Sequence, residues 1–118
     1  MTSVKIFKDK SNILGFEISG HSGYAEEGSD IVCSAISTLS QSICVGLDNV
    51  LNLKPAIEIN DKKAYLKCLL PKGLEIEQNE KAQVLLRTFE ESIKLLLAGD
   101  KKLKKYISLE VKNAIEVY

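Results

Sequence analysis

The sequence has no excess charge of either sign: sixteen basic residues balance sixteen acidic ones across 118 residues. That balance argues against an affinity for nucleic acid built on net charge and leaves only a local patch as a route to one. No apolar run approaches the ~20 residues of a membrane span. No signal peptide is legible, because Lys5, Lys8 and Lys10 interrupt the start and no small-residue cleavage site follows an apolar stretch. Cysteine is scarce and odd in number (Cys33, Cys44 and Cys68), which fits a reducing compartment better than a disulfide framework. The absence of a C-x-x-C pair argues against a thioredoxin-type redox site. A zinc site would have to recruit three scattered thiols and the single histidine, and their spacing does not support it, so neither metal nor cofactor is expected. Internal repeats and low-complexity linkers are also missing. What remains is a composition ordinary for a globular protein, 45% hydrophobic and 27% charged. The length fits one domain spanning residues 1–118, able to bury roughly two-thirds of its unfolded surface.

Hydropathy periodicity predicts an element order of β-β-α-β-β-α-β. Val4 and Ile6, then Leu14, Phe16 and Ile18, alternate with polar residues around a turn at Asp9–Asn12. Gly15 within the second run marks a bulge or a close backbone approach. After a loop of small and polar residues, Val32, Ile36, Leu39, Ile43, Leu47 and Val50 recur at helical spacing. Ser29 or Asp30 suits the N-cap of that helix, and Pro55 implies an end near Asn52. A second hairpin runs through 56–59 and 64–70, turning at Asn60-Asp61-Lys62. A second helix carries the stripe Ala82, Leu85, Leu86, Phe89, Ile93, Leu96, Leu97, with Gly99 as its C-terminal cap. Tyr106 to Val111 alternates weakly as a fifth strand. The expected fold is α+β: a two-layer sandwich with a mostly antiparallel sheet of about five strands and both helices packed on one face.

One segment carries chemistry. Gly20 to Ser37 reads GHSGYAEEGSDIVCSAIS, with the only histidine, His21, twelve residues before Cys33. The thiolate is the attacking form of cysteine, and little of it exists at an unperturbed pKa near ~8.5. A cap at Ser29 or Asp30 sets Cys33 in the first helical turn, where free backbone N–H groups and the dipole favour negative charge. A protonated His21 stabilises the thiolate further and then protonates a leaving amine. Gly23 and Gly28 suit a mobile loop. Asp30 has two readings: it caps the helix, or it orients His21 as a third member. Ser37, one turn after Cys33, either hydrogen-bonds in the site or back-bonds to the preceding turn. Each feature also has a plain reading. Free cysteine usually packs as a small hydrophobe, as Cys44 and Cys68 are expected to do, and a histidine beside glycine is usually a loop residue.

The ordered string Gly20-His21-Ser22-Gly23-Tyr24-Ala25, then Gly28-Ser29-Asp30-Ile31-Val32-Cys33-Ser34-Ala35-Ile36-Ser37, resembles the signature of the ribosomal-processing cysteine protease family. The resemblance implies a cytoplasmic bacterial peptidase and a homodimer, with Cys33 as nucleophile and His21 as general base and acid. It also implies a substrate, the N-terminal extension of a large-subunit ribosomal protein, number twenty-seven in the standard nomenclature. Neither a membrane nor direct nucleic-acid contact is expected. The alternative is a non-catalytic ribosome-associated binding module, with Lys101, Lys102, Lys104 and Lys105 touching RNA phosphates. The plainer reading of that cluster is a solvated turn.

Overall fold

The computed structural model describes residues 2–20 and 29–113; residues 1, 21–28 and 114–118, and the side chains of residues 29–31, lie outside the described set. Strands β1 (Thr2–Asp9) and β2 (Asn12–Ser19) form the first hairpin. Lys10, in the left-handed region at φ 58°, closes it together with Ser11. Pairing passes from Phe7↔Gly15 to Lys8↔Ile13, so Leu14 is the extra residue of a β-bulge. The bulge changes which side chain faces inward. Ile13, 1% exposed, takes the core position that simple alternation assigns to Leu14.

Gly15 also meets the second expectation, a close approach. A Cβ there would stand 2.0 Å from the Cys68 carbonyl oxygen and 2.9 Å from the Leu69 Cα. Those atoms belong to β4 (Tyr65–Leu69), which pairs antiparallel with β2 from Gly15↔Leu69 to Ile18↔Leu66. Strand β3 (Ala56–Asn60) pairs with the outer side of β4 through a short 3-10 turn and Ala64 at φ 48°. Strand β5 (Ile107–Asn113) joins β1 in parallel, giving the order β3-β4-β2-β1-β5. Three of the four pairings are antiparallel, so the sheet is mixed and mostly antiparallel.

Helices α1 (Ser29–Val45) and α2 (Ile76–Gly99) share one sheet face. Ile36, Ile43 and Leu47 from the first helical run and Leu86, Phe89 and Ile93 from α2 join Val4, Ile6, Phe16, Cys68 and Ile107 in a single buried cluster. Phe16 and Phe89 meet with ring centroids 4.5 Å apart, a tilted contact favoured by the ring quadrupoles. Beyond the end of β4, the Ile13 backbone has no strand partner on that side. The Gln83 amide replaces it, accepting from the Ile13 N–H at 2.8 Å and donating to its carbonyl at 2.7 Å. Lys8 reaches α2 as well, donating to the buried Glu90 carboxylate at 2.9 Å.

Three boundaries differ from the periodicity. Helix α1 is described from Ser29 onward, so Ser29 and Asp30 are helical residues rather than caps, and Cys33 lies beyond the first turn. The run continues past Val45 as a π-helical turn, Gly46–Val50. A Cβ at Gly46 would come within 2.8 Å of Leu85 Cδ1, so glycine lets this turn lie against α2. Finally, Gly99 closes α2 without a left-handed cap. The stop is Asp100, extended at φ −142°, whose carboxylate accepts from the Lys102 N–H at 2.9 Å.

Gly15→Ala should destabilise the protein by about 3 kcal/mol or more, because the clashing atoms are backbone and cannot swing aside. Urea unfolding at neutral pH would measure this, and a variant within ~0.5 kcal/mol of the parent would refute the close approach.

Candidate active site

Helix α1 docks through Ile36, Ser40 and Ile43, and the buried stripe continues into Leu47 of the π turn. Extending it one turn toward the N-terminus reaches Cys33. Docking therefore aims this thiol at the sheet, where it is half-buried rather than sealed. Its Sγ lies 2.8 Å from the Thr2 Oγ1. Thr2 opens β1 on the same face as Val4 and Ile6 and is 2% exposed.

Cys33 and Thr2 lie along a groove of about 410 Å³. Ser34, Ser37, Thr38 and Gln41 of α1 form one bank. The other bank is more apolar, with Ile18, Ile59 and Leu66. Gly20, at φ 78°, stands at the end where β2 leaves the sheet. Strand β3 is exposed along its whole length, and Ile59 keeps 60% of its surface beside the groove. An extended chain in this groove would meet hydroxyls and an amide on one side, and on the other aliphatic side chains together with Asp61 and Tyr65.

The residues predicted from the sequence fall into three sets. Cys33 and Ser37 are described, and both line the groove. The Ser37 hydroxyl accepts from Gln41 Nε2 at 3.0 Å, and no back-bond to the preceding turn is made by it among the described contacts. Asp30 is placed in α1 by its backbone, but its side chain lies outside the described residues. His21, Gly23 and Gly28 lie outside them altogether. Two groups escaped the sequence reading. Thr2 was visible only as a polar member of an otherwise apolar strand face. Ile59 and Leu66 read as ordinary strand residues, since nothing local says that β3 stays uncovered.

The other thiols are packing residues. Cys44 is 8% exposed and Cys68 is fully buried, and they are hydrogen-bonded to one another. That bond, followed by burial, pushes the Cys68 thiol far up, so it stays neutral. Tyr65 is also held neutral: burial first, then its 3.1 Å hydrogen bond to Glu17, pushes its phenol up to about 12. Among the described residues no three His, Cys, Asp or Glu side chains converge as a metal site would require. Among those residues, too, no helix is long and apolar enough to cross a membrane. Lys101, Lys102, Lys104 and Lys105 occupy an exposed 3-10 turn.

A half-exposed thiol early in a helix, opening on a groove in a two-layer α+β sandwich, is the placement a cysteine-type peptidase needs for its nucleophile. Comparison with known proteins makes that class specific: residues 1–108 match the family model described as cysteine protease Prp, and the chain belongs to that family. The ribosomal processing cysteine protease Prp of Bacillus subtilis (strain 168) is 30% identical over 74 residues, covering 63% of this chain and 66% of that protein. The fold is also that of an essential ribosomal processing protease Prp from S. aureus, solved in complex with a substrate peptide. The TM-score is 0.79 at 21% identity, covering 95% of this chain and 100% of that one. SMU.848 from Streptococcus mutans superposes with a TM-score of 0.78 at 22% identity, covering 96% and 95% of the two chains.

Iodoacetamide near neutral pH should label Cys33 ~10-fold or more faster than Cys44 or Cys68, since burial denies the reagent access to the other two thiols. Peptide-resolved mass spectrometry would read the three rates, and equal rates would contradict an accessible, activated Cys33.

Proposed function

We propose that this chain is a cysteine endopeptidase that removes the N-terminal extension of a large-subunit ribosomal protein, number twenty-seven, during ribosome maturation. The observation that carries the reading is the position of Cys33: its sulfur opens on a groove of about 410 Å³, in a chain of the cysteine protease Prp family. The relatives named above are described as ribosomal processing proteases, one of them with a substrate peptide bound.

In this mechanism the Cys33 thiolate adds to the scissile carbonyl and His21 protonates the departing amine as the C–N bond breaks. Water, deprotonated by His21, then releases the acyl group from sulfur. Gly20 supports the pairing of the two residues. It lines the same groove as Cys33 and immediately precedes His21 in sequence. Gly23 and Gly28 supply the backbone freedom for closure over a peptide. Asp30 and Ser37 are supporting residues, the first as an orienter of His21, the second as part of the polar bank. The aliphatic bank fits apolar or aromatic side chains ahead of the cleaved bond. The same reading makes residues 1–118 one protease domain, working in the bacterial cytoplasm as a homodimer.

Incubation with a synthetic precursor peptide tests the proposal. Cys33→Ala should abolish cleavage with the fold intact by circular dichroism, and His21→Ala should lower the rate by ~10²–10⁴. Full cleavage by Cys33→Ala would end the proposal. A peptide left intact by the parent protein, together with steeply salt-dependent binding to ribosomal particles, would replace it with a binding module.

A further inference from the structure

The first residue of β1 does more than begin a strand. We infer that the Thr2 hydroxyl is a positioning residue for Cys33, a fixed hydrogen-bond partner that holds the sulfur at the groove and favours its ionised form. The inference rests on the reading of Cys33 as nucleophile and adds a partner from a different element, 31 residues away in sequence.

Three observations make the hydroxyl a fixed one. The Thr2 N–H donates to the Tyr106 carbonyl, and its Cα is in register with Ile107 of the parallel strand β5. The residue is β-branched, which restricts χ1, and 2% exposed, which leaves little room for another rotamer. It also stands at the end of the ladder. Pairing of β1 with β2 starts at Ser3↔Ser19, and the next rung would set Gly20 opposite Thr2. Gly20 instead turns away at φ 78°, leaving the groove beside Thr2 open.

The chemistry follows from what each group can do. A hydroxyl has one proton to donate and lone pairs to accept with. Next to a neutral thiol, either atom of the 2.8 Å contact can be the donor. Once the thiol ionises, only the hydroxyl has a proton to give. The bond becomes charge-assisted and stabilises the thiolate over the thiol. Because the hydroxyl is already ordered, its alignment carries no further entropic cost when the charge appears. His21, in the proposed dyad, supplies charge; Thr2 supplies direction.

The test measures the pH dependence of Cys33 alkylation by iodoacetamide in the full chain, in which the thiolate displaces iodide and needs no peptide substrate. Thr2→Val keeps the shape and removes the hydroxyl. It should move the midpoint up by about one unit, so that Cys33 reacts about tenfold more slowly near neutral pH. Thr2→Ser should restore the parent profile, and Thr2→Ala should behave like Thr2→Val. Thermal unfolding by circular dichroism monitors the fold, and the Ser–Ala comparison isolates the hydroxyl even if the valine variant is unstable. With the precursor peptide, Thr2→Val should lower kcat and leave KM nearly unchanged. Unshifted profiles in Thr2→Val and Thr2→Ala, or a serine variant as slow as the alanine one, would overturn the inference. The two readings fail separately. A shifted profile in a protein that leaves the precursor peptide intact removes the ribosomal substrate but keeps the Thr2–Cys33 pair. Normal cleavage with an unshifted profile removes only the pair.

Discussion

The docking of α1 on the sheet is the constraint on which the site depends. Its buried stripe descends through Ile36, Ser40 and Ile43 to Leu47, and these side chains sit in one cluster with Phe16, Ile18, Leu66 and Cys68, apart from Ser40. A helix held along a line of contacts has one rotational setting. That setting decides where the next stripe position, Cys33, points, and it points at the end of β1. Ser40 helps by being small: it is fully buried and returns its hydroxyl to the Ser37 carbonyl at 2.9 Å, so it leaves no unpaired donor against the sheet. The thiol's location follows from hydrophobic packing several turns away, without a dedicated loop to place it.

The sheet surface that receives the helix is shaped by a local irregularity. The bulge at Leu14 brings Ile13 into the core and leaves its backbone beyond the reach of β4, where the Gln83 amide takes over. Gly15 lets β2 and β4 come together at a point where a Cβ would collide with the Cys68 carbonyl. Phe16, the next residue, then meets Phe89. One bulge, one glycine and one amide thus tie the hairpin to both β4 and α2. They stabilise the half of the sheet away from the groove, and the groove end is free to stay open.

Much of this was legible in the chain. The two hairpins, both helices and the fifth strand follow from periods of two and three to four residues, and the one-faced stripes imply a two-layer packing. The lapses have physical causes. Alternation assigned Leu14 to the core because a bulge leaves no mark on hydropathy beyond its neighbour Gly15. Gly99 looked like a left-handed cap, but an extended Asp100 that binds the Lys102 N–H ends the helix equally well. The π turn at Gly46 depends on the approach of Leu85 from another helix, and no local pattern encodes that. The site divides in the same way. Cys33 stood out through its motif. Its contact with Thr2 could not, because the contact depends on β5 pairing with β1 in parallel and on the rotation of α1, both products of tertiary packing.

The three cysteines show how one fold sorts identical side chains. Cys68 lies on the inner face of β4, beneath both layers, and a hydrogen bond to Cys44 together with burial keeps it neutral. Cys44 is buried on the inner side of α1, and the hydrogen bond from Cys68 draws its thiol below the usual range, out of reach of solvent. Cys33 belongs to the same helix as Cys44, eleven residues earlier, or about three turns. Three turns carry it from the centre of the sheet to its margin, where β2 departs at Gly20 and the uncovered β3 leaves the far bank of the groove exposed. Exposure to solvent comes from that displacement. The 2.8 Å contact with a buried threonine restores the order that a marginal position would otherwise lose. Access to a thiol in this chain is therefore a property of where the helix overhangs the sheet, and the cysteine nearest the helix start is the one with both access and a fixed neighbour.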